Sequence, residues 1–164
     1  MRCRWRKVLH MIPLIKGIVS QESWTLLYQS DFSLGNDGWA QSSANLTSNY
    51  DSGDAGYESC LRIVQPVIGF SAAFMTDGFI LPGGLDTYYR ITFEVKPMAG
   101  SDHEVRVNDG GLLFVKTPLG VWNIVTGSFS SDENFNVTVF ANNGPGTGPG
   151  EEILIGSVKI ERRL

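Results

Sequence analysis

The chain has 164 residues, 42% of them hydrophobic, with 19 glycines, 7 prolines and only 18% charged residues. That fits one turn-rich globular domain and excludes disordered and membrane-embedded classes. The net charge of −4 hides an asymmetry, because residues 1–20 hold five of the thirteen Lys and Arg and no acid, leaving eight bases against seventeen acids elsewhere. Such an acidic body repels phosphate backbones, so no nucleic-acid partner is expected.

Met1 to Lys7 is basic and Val8 to Val19 is mostly apolar. Three readings fit. A secretory signal peptide is one, although His10, Pro13 and Lys16 interrupt the apolar run and no small-x-small cleavage site follows. Met11 as the functional start, behind a leader, is the second. The third is an anchoring arm that docks on another chain, favoured because Ile12, Leu14, Ile15, Ile18 and Val19 form an apolar strip with no local β pattern to pair with; an extra edge strand or a disordered terminus is its competitor. An apolar run of about 12 residues is too short to span a bilayer. Residues 1–23 are therefore read as arm or leader, and 24–164 as the domain.

The domain reads as short strands cut by turns. Trp24 to Phe32 comes first, then Leu34 to Gly38 as a turn with positive φ expected at Asn36 and Gly38, then one strand from Trp39 to about Tyr50. A polar loop, Asp51 to Gly56, precedes a strand from Ser59 to Gln65 with Leu61 and Ile63 on one face and Arg62 on the other, closed by Pro66. Cys60 within it is expected to be a small buried hydrophobe rather than a reactive thiol. Ile68 to Met75 and Gly78 to Leu81 follow, before a Pro82-Gly83-Gly84 turn.

The clearest strand places Tyr89, Ile91, Phe93 and Val95 on one parity, and Tyr88, Arg90, Thr92, Glu94 and Lys96 on the other. Val105 and Val107, Leu112 to Val115, Val121 to Phe129, and Phe135 to Val139 repeat the rule. A Gly- and Pro-rich loop from Asn142 to Gly150 is placed at an exposed rim. In the closing strand, Ile153 to Ile160, the apolar parity shifts between Ile155 and Val158, which predicts a bulge near Gly156 or burial on both faces. The count of about ten short strands predicts an all-β fold, an antiparallel two-sheet β-sandwich.

The order of features resembles the galactose-binding-like jelly roll of the family 4, 9 and 22 carbohydrate-binding modules. Ser30-Asp31-Phe32-Ser33 with Trp39 stands for their Asn-Gly-Asp-Phe-Glu-like start and Trp, and Gly56 with Cys60-Leu61-Arg62-Ile63 for their Gly and Ser-Leu-x-Val strand. Leu81-Pro82-Gly83 leads into Tyr88 to Lys96 as their Pro-Gly turn and long strand do. Trp122 with Phe129, and Ile155-Gly156-Ser157-Val158, complete the set over about residues 27–161. The resemblance implies a jelly roll, Trp39 and Trp122 in the core, and a calcium near the start and end of the domain. Ser33 and Gly156-Ser157 stand where its carboxylates would be, so no metal and no cofactor are expected.

No nucleophile elbow, phosphate loop or zinc spacing is present, and most acids, such as Asp102 and Glu104 around His103, fall in polar turns where solvation is expected. The chain is therefore read as no enzyme. Sugar binding needs an aromatic face and a few orienting polar groups, for which Tyr50, Tyr57, Tyr88 and Arg90 are the candidates. The expected function is a non-catalytic structural or adhesion module within a larger assembly such as a phage virion, as head decoration, tail or fibre, with glycan binding. The alternative is a free secreted carbohydrate-binding module of a polysaccharide-degrading system. Expected partners are other structural chains through the arm, a second copy of the chain, and an extracellular or cell-surface glycan.

Overall fold

A computed structural model describes residues 22–42, 44–65, 71–75, 87–100, 103–107, 110–114, 118–142 and 150–164. The apolar strip of Ile12, Leu14, Ile15, Ile18 and Val19 lies outside them, as do the segment from Gly78 to Leu81, the Pro82-Gly83-Gly84 turn and most of the rim loop. The described residues form eleven strands: β1 Trp24–Ser30, β2 Trp39–Ser42, β3 Asn45–Tyr50, β4 Cys60–Val64, β5 Ser71–Met75, β6 Tyr88–Ala99, β7 Glu104–Val107, β8 Gly110–Phe114, β9 Asn123–Ser130, β10 Val137–Asn142 and β11 Glu152–Arg163.

All pairings are antiparallel, and the strands divide into two sheets. Sheet A runs β3-β4-β11-β6-β9, with β1 also paired to β11; sheet B runs β2-β5-β10-β7-β8. β4 pairs with Glu152 to Ile155 and β1 with Val158 to Arg163, so the two strands share one edge of β11 end to end while β6 covers the other. Between them the edge is open at Gly156-Ser157. This gap positions the site.

Alternation in the sequence becomes a two-faced sheet as expected. Tyr89, Ile91, Phe93 and Val95 from β6 meet Ile153, Ile155, Val158 and Ile160 from β11, together with Leu61 and Ile63, against Val137, Val139 and Ala141 of sheet B. Trp39 fills the core with its ring edge-on to Phe32 and Phe93, and its Nε1 donates to the Tyr28 hydroxyl at 2.9 Å, so a polar atom is buried with its partner. Pairing of β11 with β6 slips between Ile155 and Ser157, the bulge that the parity shift predicts.

Several expectations are corrected. Residues 39–50 are two strands rather than one, because β2 belongs to sheet B and β3 to sheet A; alternation records which face a residue takes, and gives no sign that the chain changes sheets. Positive φ in the first turn falls on Phe32, Gly35, Asp37 and Gly38, not on Asn36. The Asp37 carboxylate accepts from the Ser30 hydroxyl and holds this turn against β1. His103 and Glu104, read as turn residues, are both 2% exposed at the start of β7, where Glu104 pairs with Arg106 at 3.1 Å.

Candidate functional site

The outer face of sheet A carries every side chain singled out for sugar binding, but divides them between two ends. The eight residues from Leu154, opposite Arg62 and Lys96, to Glu161, opposite Arg90, are seven steps and span about 23 Å at the strand rise. Tyr50 and Tyr57 lie at the first end, Tyr88 and Arg90 at the second.

At the second end the rings are already stacked on guanidinium groups. Arg90 lies 4.4 Å from the Trp24 ring centroid and donates twice to Glu161 Oε2, at 2.9 and 2.6 Å; Arg163 lies 4.1 Å from that of Tyr88. Burial pushes the Glu161 carboxyl up, but Lys159 and Arg90 together hold it below the usual range. Tyr50 at the first end has the same arrangement, with Arg62 4.9 Å from its centroid and fixed to Glu152 by two bonds of 2.7 and 2.9 Å. These contacts use Arg stacking on an aromatic face.

Tyr57 differs. It belongs to the 51–59 loop, which is knitted internally: Asp51 accepts from Gly53 N, Ser52 donates to the Tyr57 carbonyl, and Tyr57 N donates to the Asp54 carbonyl. Gly53 and Gly56 supply the left-handed conformations at φ +77° and +87°. The Tyr57 ring stacks on Trp122, centroids 3.8 Å apart and planes 10° from parallel. Both rings stand over Gly156, where an added Cβ would come within 2.6 Å of Tyr57 Cδ1 and 3.1 Å of the Trp122 ring.

Asp54 ties this assembly to the sheet. Its Oδ2 accepts from Lys96 Nζ at 2.6 Å and from Trp122 Nε1 at 2.8 Å, and these two donors hold its carboxyl below the usual range. Lys96 is buried beneath the loop, which a lone ammonium would resist. Cys60 also lies under the loop as a buried free thiol, its Sγ donating to the Tyr57 carbonyl at 3.3 Å, with burial pushing its pKa up to about 11. It stays a thiol at neutral pH, as the composition suggested, but on the outer side of sheet A.

Trp122 therefore is not a core residue, contrary to the expectation; of these two, Trp39 alone lies in the core. The sequence signal was parity, since Trp122 shares the outward phase of Ile124, Thr126 and Ser128 in β9. Asp54 and Lys96 were missed because their partners lie 42 and 68 residues away along the chain.

Beside Tyr57, in the gap between β1 and β4, lies an open cleft of about 260 Å³ lined by Asp31, Ser33, Tyr57, Glu58, Glu94 and Ser157, among others. Burial, then the Glu94 carboxylate, raises the Tyr57 phenol, which is thus a neutral hydroxyl at physiological pH. The Asp31 carboxylate is held low by the Ser33 hydroxyl and N–H, which donate to its Oδ1 at 2.6 and 3.0 Å. A ring edge bordered by hydroxyls and carboxylates suits a polyhydroxylated ligand.

The same cleft tests the calcium implied by the resemblance. Ser33 and Gly156-Ser157 do meet there, so the two ends of the domain are brought together, but they bring hydroxyls in place of carboxylates. Among the described residues no group of three or more His, Cys, Asp or Glu could hold an ion. The acids that border the cleft, Asp31, Glu58 and Glu94, are not grouped as an ion site requires. On sheet B, the described outer face offers a smaller aromatic and charged group, with Arg106 4.7 Å from the Phe140 centroid.

No family model matches the chain, and no curated protein matches it. Solved structures do. The paired family 22 carbohydrate-binding and xylanase modules of the Clostridium thermocellum endo-1,4-β-D-xylanase 10B, solved with xylohexaose, match at TM-score 0.67 and 18% identity over 84% of this chain, which spans 28% of that one. A family 22 xylan-binding domain from Paenibacillus barcinonensis matches at 0.58 and 12%, covering 87% of this chain and 97% of that one. A family 29 carbohydrate-binding module matches at 0.56 and 14%, covering 86% of each. The fold is the carbohydrate-binding-module jelly roll.

Proposed function

We propose that this chain is a non-catalytic β-sandwich module that binds an extracellular or cell-surface glycan, with Tyr57 and its cleft as the contact. The observation that carries this reading is an aromatic ring fixed by the 51–59 loop and bordered by hydroxyls and carboxylates, on a sandwich shared with modules whose structures hold xylohexaose and mannohexaose. Tyr50, Tyr88 and Arg90 are secondary contacts, because guanidinium stacking or an ion pair already engages each of them.

Titration calorimetry of the intact chain with xylohexaose and mannohexaose, followed by a wider polysaccharide panel, tests the proposal. Tyr57→Ala is expected to weaken binding about tenfold, the scale of one aromatic contact, while Tyr50→Ala and Tyr88→Ala change it less. Loss on Phe140→Ala instead would keep the glycan function and move the site to sheet B. No binding to any glycan would remove the function itself.

A second reading adds the assembly role, as a component of a particle such as a phage virion in which the glycan site faces outward. The apolar strip from Ile12 to Val19 is what supports it, while a free secreted carbohydrate-binding module accounts for the fold and the cleft at least as well. Deleting residues 1–23 is expected to release the chain from its assembly partner while glycan binding persists; unchanged association would sink it.

A further inference from the structure

Gly156 and Ser157 are a stretch of β11 that lacks a neighbouring strand on one side. β4 pairs with β11 as far as Ile155, opposite Leu61, and β1 only from Val158, opposite Ser30. β1 does not run on across the gap, because the chain leaves the sheet at Phe32, whose φ of 58° is left-handed. Among the described residues, no strand takes up the backbone N–H and C=O groups on that side of the gap.

This stretch lines the cleft of about 260 Å³ beside Tyr57. The Tyr57 ring stands against it, since a Cβ added at Gly156 would lie 2.6 Å from Cδ1 and 2.7 Å from Cε1. Asp31, Glu58 and Glu94 border the cleft, and no Lys or Arg lines it. An open strand edge, an aromatic ring and a rim of acceptors therefore meet in one place.

We propose that the cleft takes the N-acetyl group of an amino sugar, so that the glycan bound there is built from N-acetylhexosamine units. This rests on the glycan reading of the Tyr57 cleft and names its sugar. An acetamido group is a secondary amide like the peptide bond. Its N–H and C=O supply what a neighbouring strand would have offered to Gly156-Ser157, and its methyl is left for the Tyr57 ring. A sugar with only hydroxyls makes no such pair. The gap is two residues long and is closed at its ends by β1 and β4, so one amide fits where an added peptide strand does not. The three carboxylates accept from the remaining sugar hydroxyls and repel uronate or sulfated units. A free amino sugar would suit the carboxylates but leave the edge of β11 unpaired.

Titration calorimetry of the full chain tests this with three hexamers on one glucan backbone: chitohexaose, which carries acetamido groups, cellohexaose, which carries hydroxyls, and the deacetylated chitosan hexamer. N-acetylgalactosamine against galactose covers the other configuration. The acetylated member of at least one pair is expected to bind about tenfold tighter, the scale of one or two net hydrogen bonds. In isotope-labelled protein, the amide signals of Gly156 and Ser157 are expected to shift with the acetylated sugar. No gain from the acetyl group in either pair, tighter binding of the deacetylated hexamer, or amide shifts that spare Gly156 and Ser157 would each overturn the inference while glycan binding stands. No binding of these sugars, of xylohexaose or of mannohexaose would remove the glycan reading with it.

Discussion

The two ends of sheet A's outer face use the same residue types and reach opposite results. At the Tyr88 end, Arg90 and Arg163 lie over rings on flat strands, each held by a carboxylate and open to water. At the Tyr57 end, one loop brings an aspartate, a tyrosine and a tryptophan together over a glycine, and buries a lysine beneath them. The first is a ladder of partly exposed guanidinium groups, with the Glu161 carboxylate buried beneath Arg90. The second is a fixed structure, because ring stacking, hydrogen bonds and lysine burial depend on one another.

The sharpest way to break this contrast is at Gly156. Gly156→Val would bring side-chain atoms where a Cβ alone comes within 2.6 Å of the Tyr57 ring and 3.1 Å of the Trp122 ring, so the stacked pair must shift. Overpacking of this kind costs about 1–3 kcal/mol, read as a lower urea midpoint, with loss of the near-ultraviolet dichroism of the Tyr57–Trp122 pair. A variant with both signals intact would show that the rings are free to move aside.

Acid should loosen the same end. The Asp54 carboxyl is depressed in the folded chain, first by Lys96 and then by Trp122, so its contribution is present above the unfolded aspartate pKa and is lost as pH falls through the lower folded value. Tryptophan fluorescence is expected to change in that acid range, and Asp54→Asn should remove the change. A transition identical in both proteins would assign it to another carboxylate.

The smallest effect belongs to the ladder. Arg90→Ala should cost at most about 1 kcal/mol and should cost less as salt rises, as expected of a partly exposed pair. A salt-independent loss would place Arg90 in a structural role like that of Lys96.

The alternation in β6 was enough to find the core face, and a single shift of phase was enough to find the bulge at Gly156, since both are local properties of a pleated strand. What covers the outer face was not legible. Tyr57 could be singled out as an aromatic beside an acidic loop, but its stacking on Trp122 depends on segments that meet only after β6 and β11 have paired. His103 and Glu104 were misread for a related reason: a polar dipeptide between strands looks solvated until the packing around it is known.

The shared edge of β11 also bears on how the chain comes to be folded. β1, β4 and β6 all pair with a strand that follows them in sequence, so sheet A cannot close while the ribosome is still making residues before Glu152. Until then those strands present open edges separated by long stretches of chain, a topology that folds slowly and is exposed to aggregation. The chain is thus committed to folding late, with β11 acting as the zip that joins three strands at once.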